Sequence, residues 1–243
     1  MNFRTLDHKL RLVGFASGGA TSVKYLFNNQ ESNNYEVAGV VFSKKTASGI
    51  TWFNDKKVPI IVHDVNDFYK AKGLDSIKDK SVRGAYEYAL LPALEKLKPD
   101  LLCLSGYMLL LTQLHNIFPT INVHPADLAI TENGKRKYIG DNAVYDAVLA
   151  GEREVRSTIH LVTNDCDGGP IIVRSKPVIV PDFNKDEIKS VCKNLQDLMK
   201  QECDNPAYLW AVNAVANNDL KLKNNCVYYK SKALPNSGFV LNK

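Results

Sequence analysis

The stretch Leu10-Arg11-Leu12-Val13-Gly14-Phe15-Ala16-Ser17-Gly18-Gly19-Ala20-Thr21-Ser22 decides the fold class. Its short apolar run predicts a buried strand, and a loop of small polar residues follows. Thr21 or Ser22 stands where a helix N-cap is expected, ahead of Val23, Leu26 and Phe27. The same alternation continues outward. Tyr35–Phe42 (YEVAGVVF) and Val58–Val62 read as strands, and Ser81–Leu97 as a helix that must kink or restart at Pro92. Asp100–Leu104 and Thr120–Val123 read as strands, and Asp141–Ala150 as a helix stopped by Gly151. Thr158–Val162 and Pro170–Val173 read as two strands around a glycine loop. An amphipathic helix is expected from Asp186 to about Leu198, continued by Tyr208–Val215 after a break at Pro206, with one or two exposed strands at the end. The expected class is α/β, an open, mostly parallel twisted sheet with helices on both faces.

Length and composition narrow the class of function. The 243 residues suit a single domain, with residues 1–9 as a tail and 182–243 as a C-terminal helix and short strands packed on it. Lys and Arg number 31 against 26 Asp and Glu, a scattered excess that suits anionic small molecules better than nucleic acid. Five cysteines with no Cys-x-x-Cys spacing argue for reduced thiols in the cytoplasm, with neither a disulfide framework nor a metal site. Leu101–Leu111, the longest apolar stretch, is broken by Ser105 and Gly106 and is too short to cross a membrane.

Two segments carry candidate chemistry. In Ile121-Asn122-Val123-His124-Pro125 the period of two sends Asn122 and His124 to the same side at the end of a strand, where open α/β sheets bind ligands. In Asp165-Cys166-Asp167-Gly168-Gly169-Pro170 paired glycines can turn the backbone sharply and present Asp167 with little freedom, although an ordinary Asp-Gly turn reads the same way. His160, on the strand before that loop, reads as a core histidine. Gly18-Gly19 lacks the Gly-x-Gly-x-x-Gly spacing of a dinucleotide site. Lys135-Arg136-Lys137 reads as solvated charge, and Tyr107 and Met108 as core or pocket wall.

In this order the pieces resemble the folate-dependent formyltransferases, most closely the branch that acts on glycinamide ribonucleotide. Asn122-Val123-His124-Pro125 resembles the family's Asn-x-His-Pro, and Asp167-Gly168-Gly169-Pro170 its Asp-Gly-Gly-Pro. Pro99–Met108, Gly39–Ser43 and the ending Asp219–Leu222 with Leu234-Pro235 fit as well. The resemblance implies a Rossmann-like formyltransferase fold and 10-formyltetrahydrofolate as co-substrate, with no metal. It also implies Asn122, a protonated His124 and Asp167 as the catalytic group. The folate is expected against Tyr107, Met108, Leu109, Leu110, His160, Asp165 and Cys166. A phosphorylated amine acceptor of purine biosynthesis is expected on Ser17, Gly18, Gly19, Ala20, Thr21 and Ser22, with Glu202 on its ribose. A homodimer is left open. The family's Ser-Gly-x-Gly-Ser-Asn loop is altered here at Gly19, Ala20 and Ser22, and Leu109 stands where an arginine is common. A polar insert separates Pro125 from Ile139-Gly140-Asp141-Asn142. An amino sugar nucleotide as acceptor, hydrolysis of the formylfolate, and ligand binding without catalysis therefore stay open.

Overall fold

A computed structural model describes Phe3, Asp7–Asn224 and Cys226–Asn242; residues 1, 2 and 4–6 of the expected N-terminal tail lie outside the described residues. The main sheet has eight strands and is mostly parallel. The chain divides into two compact units, the boundary falling between Ile121 and Asn122.

The N-terminal unit contains β1 (Leu10–Ala16), α1 (Thr21–Asn29), β2 (Tyr35–Phe42), α2 (Gly49–Asp55), β3 (Ile60–Val62), α3 (Val65–Ala71), α4 (Arg83–Tyr88), α5 (Leu91–Leu97), β4 (Leu101–Leu104) and α6 (Leu114–Ile117). Its strands lie in the order β4-β1-β2-β3, each pair parallel. Apart from Arg11, every residue of β1 is buried, as a central parallel strand requires. A Cβ on Gly14 would stand 2.6 Å from Val23 Cγ2, so only glycine lets α1 lie this close to β1. The cap expected of Thr21 or Ser22 is corrected: Ala20 occupies the N-cap in the left-handed region (φ 52°, ψ 43°), and no side chain caps the helix. Pro92 does interrupt the long helix. It sits in the first turn of α5, where its missing N–H costs nothing.

The boundary between the units lies inside β5 (Thr120–His124). The C-terminal unit continues with β6 (Thr131–Glu132), β7 (Lys135–Arg136), α7 (Ala143–Leu149), β8 (Glu154–Val155), β9 (Thr158–Leu161), β10 (Ile171–Arg174), β11 (Val178–Ile179), α8 (Ile188–Met199), α9 (Asn205–Ala216), β12 (Leu220–Lys223), β13 (Cys226–Tyr229), β14 (Lys232–Ala233) and β15 (Phe239–Val240). Its part of the sheet runs β5-β9-β10-β15, with β9 and β10 antiparallel. Ala143, Val144, Ala147 and Val148 of α7 pack with Cys192, Leu195 and Met199 of α8 in one buried cluster. Pro206 makes no break. A π-helical turn over Lys200–Asp204 joins α8 to α9, and the proline falls in α9's first turn.

That π turn carries Asp204, whose Oδ1 accepts from Ser157 Oγ at 2.5 Å. Burial pushes its carboxyl up to about 6, against the opposing effects of Ser157 and Lys200. A carboxyl raised in the fold loses its proton first in the unfolded chain, so stability falls as pH rises from about 4 to about 6. Asp204→Asn is expected to remove this loss. Urea unfolding should show the variant more stable than the parent by about 1–2 kcal/mol at pH 8, allowing for partial solvent access, and no more stable at pH 4.

Candidate active site

In the C-terminal unit the end of β5 presents a half-buried Asn122 and a buried His124. Buried His160 projects from β9. His124 Nε2–H donates to the Tyr138 carbonyl at 2.8 Å, which leaves Nδ1 3.5 Å from Asp167 Oδ2. His160 Nδ1–H donates to the Leu161 carbonyl at 2.8 Å. Its Nε2 stands 3.4 Å from Asp167 Oδ1 and 3.2 Å from Asn122 Nδ2. When Nε2 carries a hydrogen it serves the carboxylate; when it does not, it accepts from the amide. Two strand ends and one loop thus gather the four side chains, and His160 links the expected trio instead of serving only as core.

The loop that presents Asp167 is built differently from the sequence expectation. The left-handed residue is Asp167 itself (φ 49°), and neither Gly168 nor Gly169 lies in that region. The glycines are needed for close approach. A Cβ on Gly169 would stand 1.8 Å from the Leu161 carbonyl oxygen, and one on Gly168 2.6 Å from Asp165 Cβ. The loop is therefore pressed onto the end of β9. Gly140 N–H donates to Asp167 Oδ2 at 2.8 Å. Arg136 donates from Nη1 to the Asp167 carbonyl and from Nη2 to the Gly169 carbonyl, the latter at 2.7 Å. A left-handed non-glycine residue costs roughly 1–2 kcal/mol, and a hydrogen bond from a charged donor contributes about 1.5–3 kcal/mol. Two such bonds outweigh the backbone cost.

Arg136 corrects the reading of Lys135-Arg136-Lys137 as solvated charge. Lys135 and Lys137 are exposed, and Lys137 pairs with Glu132 at 3.4 Å, but Arg136 is half-buried against the loop. The sequence held a signal for this. Asn133-Gly134, between Thr131-Glu132 and Lys135-Arg136, is the favoured two-residue turn of a hairpin. The structure forms it, with φ of 52° and 74° at the turn and β6 antiparallel to β7.

In the N-terminal unit the expected phosphate loop links β1 to α1. Ser17 Oγ lies 2.7 Å from Ser43 Oγ and accepts from Met108 N–H at 3.0 Å, and Ser22 N–H donates to Ser105 Oγ at 3.3 Å. Thr21 is exposed, and Gly18 has open space where a side chain would stand. Tyr107 and Leu109 are buried and Leu110 is half-buried, but Met108 is 54 % exposed. Of the two readings of Met108, core and pocket wall, its exposure removes the first: its backbone is fixed by Ser17 and its side chain is exposed. In the C-terminal unit Asp165 and Cys166 are exposed, and Glu202 forms an ion pair with Lys176 at 2.9 Å.

Residues 10–201 match the family model described as formyl transferase. The chain belongs to that family. It is 28 % identical to the phosphoribosylglycinamide formyltransferase of Haemophilus influenzae, over 94 % of this chain and 98 % of that one. It is 24 % identical to the Escherichia coli protein of the same name, over 96 % and 100 %. The fold is similar to that of a phosphoribosylglycinamide formyltransferase from Coxiella burnetii (TM-score 0.76, 23 % identity, 96 % of this chain and 100 % of that one). It is also similar to that of a formyltetrahydrofolate deformylase from Pseudomonas syringae (TM-score 0.73, 19 % identity, 92 % and 66 %).

The electrostatics of this formyltransferase centre on Asp167. Burial alone would raise its carboxyl, but the His160 hydrogen bond, the His124 charge and the Gly140 N–H hold it well below the usual carboxylate range. His124 shifts the other way from the expected protonated ring. Burial lowers its affinity for a proton, helped by His160 and Arg136, and outweighs the pull of Asp167 and of the Tyr138 carbonyl. The resting imidazole is therefore neutral at pH 7, with its hydrogen on Nε2. Nitrogen-detected NMR titration should place its midpoint below that of a free imidazole. Asp167→Asn, which removes the opposing carboxylate, should lower that midpoint further; a rise would contradict the assignment.

Proposed function

We propose that the chain transfers the formyl group of 10-formyltetrahydrofolate to a primary amine, and that the acceptor is glycinamide ribonucleotide, in line with the names of its two bacterial relatives. The observation that carries this reading is the Asp167 carboxylate set between His124 and His160, with Asn122 beside His160. The folate supplies a formyl carbon open to attack by an amine. Asn122 donates to the formyl oxygen as negative charge develops there, a contribution typically worth several kcal/mol. The neutral His124 ring has its free lone pair on Nδ1. A proton taken up there replaces the contact between that lone pair and the carboxylate with an ion pair. Asp167 thus makes the ring a better proton acceptor as the amine nitrogen bonds to the formyl carbon. The tetrahedral intermediate then collapses and the bond from that carbon to the folate nitrogen breaks. The proton taken from the amine passes to that nitrogen, directly or through water, releasing tetrahydrofolate.

A flat polar heterocycle needs a few placed hydrogen-bonding groups at an accessible rim. Exposed Asn164, Asp165 and Cys166 beside the fixed Asp167 offer them within the C-terminal unit, so we assign the folate's polar edge to this loop. The acceptor's phosphate is assigned to Ser17–Ser22, where the first-turn N–H groups and the dipole of α1 favour an anion. Ser17 contributes mainly by fixing the loop, because its hydroxyl already serves Met108 and Ser43. For Glu202 to reach a ribose hydroxyl, its ion pair with Lys176 must open. The uncapped α1 with alanine at its left-handed start is the observation that keeps hydrolysis or another amine as the second reading.

Folate absorbance in the presence of glycinamide ribonucleotide should report transfer, and His124→Ala should lower turnover by at least about a hundredfold with the fold intact. Formate release without any amine would support hydrolysis instead. Transfer only to an amino sugar nucleotide would change the acceptor and keep the chemistry.

A further inference from the structure

We propose that Arg136, carried on the β6–β7 hairpin, is a positioning residue that holds Asp167 in its working geometry by bridging the Asp167 and Gly169 carbonyls. The inference rests on the reading of Asp167 given above. Segment 136–140 touches the cluster three times: Arg136 through the loop carbonyls, Tyr138 through the carbonyl that accepts from His124, and Gly140 through its N–H to Asp167. The end of the hairpin and the four residues after it thus fix imidazole and carboxylate together. A guanidinium suits the task, because its planar fork spans two acceptors at once, whereas an ammonium is a single point donor. Asp167 needs such support: its backbone is left-handed without being glycine, and Gly169 leaves no slack against Leu161. The groups facing the Asp167 carboxylate are His124, His160, the Gly140 N–H and Cys166 Sγ at 3.5 Å, while Lys137 of the hairpin turns to Glu132.

The test compares the full chain with Arg136→Met, Arg136→Lys and, as a hairpin control, Lys137→Met. Hydrogen exchange is read at the amides of Gly140 and Gly168, which donate to Asp167 Oδ2 and to the Asp165 carbonyl. Arg136→Met should speed exchange at both by at least about tenfold and lower kcat by roughly ten- to a hundredfold, with KM for the amine little changed, because the loss is one of alignment. The His124 titration midpoint should rise in Arg136→Met, which removes a nearby cation, and stay near the parent value in Arg136→Lys. Arg136→Lys should not restore loop protection, and Lys137→Met should match the parent throughout. Wild-type exchange and kcat in Arg136→Met would overturn the proposal. So would full rescue by lysine, which would make charge rather than the fork decisive, or an equal defect in Lys137→Met. If the parent protein moves no formyl group to any acceptor, the functional reading fails, while the exchange data still decide whether Arg136 holds the loop.

Discussion

A carboxylate whose side chain is only 11 % exposed stays ionised only where enough donors and positive charge surround it, and the C-terminal unit is organised around meeting that condition for Asp167. Two imidazoles from separate strands approach its two oxygens, and a backbone N–H from a third segment completes the set. The arrangement explains why residues far apart in sequence must be fixed together. Displacing Asp167 would take the acceptor from the Gly140 N–H and leave His160 Nε2 with Asn122 alone of its two partners. The same carboxylate decides what His124 can do. Burial lowers the ring's affinity for a proton, and the carboxylate opposes that loss without cancelling it.

The backbone pays for this placement at one residue and is supported at several. Asp167 adopts a conformation that glycine would take more easily, yet glycine there would have no carboxylate. The two glycines that follow serve contact instead of torsion, because Leu161 and Asp165 leave no room for a Cβ. The fork from Arg136 then satisfies the carbonyls that this path turns outward. Conformation, packing and hydrogen bonding thus converge on one side chain. Such agreement across levels is expected of a functional loop, where strain persists only if its surroundings over-determine it.

How far this could be read from the sequence varied with the range of the interaction. The strands β1, β2 and β5 and the restart at Pro92 were legible because apolar runs and proline act locally. The alternation along β5 gave the shared direction of Asn122 and His124 for the same reason. The α1 cap was misread because Ala20 enters the left-handed region against its own preference, held by surroundings that no local pattern reveals. The glycines after Asp167 were given the wrong task, since close approach to Leu161 depends on a strand partner and torsional need does not. The neutral state of His124 was also out of reach: it is set by the balance of burial against a carboxylate more than forty residues away in sequence. Arg136 lay between these cases. Its hairpin was announced by Asn133-Gly134, but the two carbonyls it would meet were not.

The division of labour between segments bears on how such a chain acquires its acceptor. Asn122, His124, His160, Asp167 and their supports all lie in the C-terminal unit, whereas the glycine loop at the start of α1 lies in the N-terminal one. The hydrogen bonds that fix Asn122, His124, His160 and Asp167 lie within the C-terminal unit. In the function proposed above, alanine at the left-handed position and serine in place of an amide at position 22 bear on the anion site, while the pairing of carboxylate and imidazole is set within the C-terminal unit. The β6–β7 hairpin belongs with that pairing, because its Arg136 reaches the backbone of Asp167 itself. In the same function, the loop of the N-terminal unit bears on which amine is held, while the hairpin bears on the step common to every amine, loss of a proton beside His124 and Asp167.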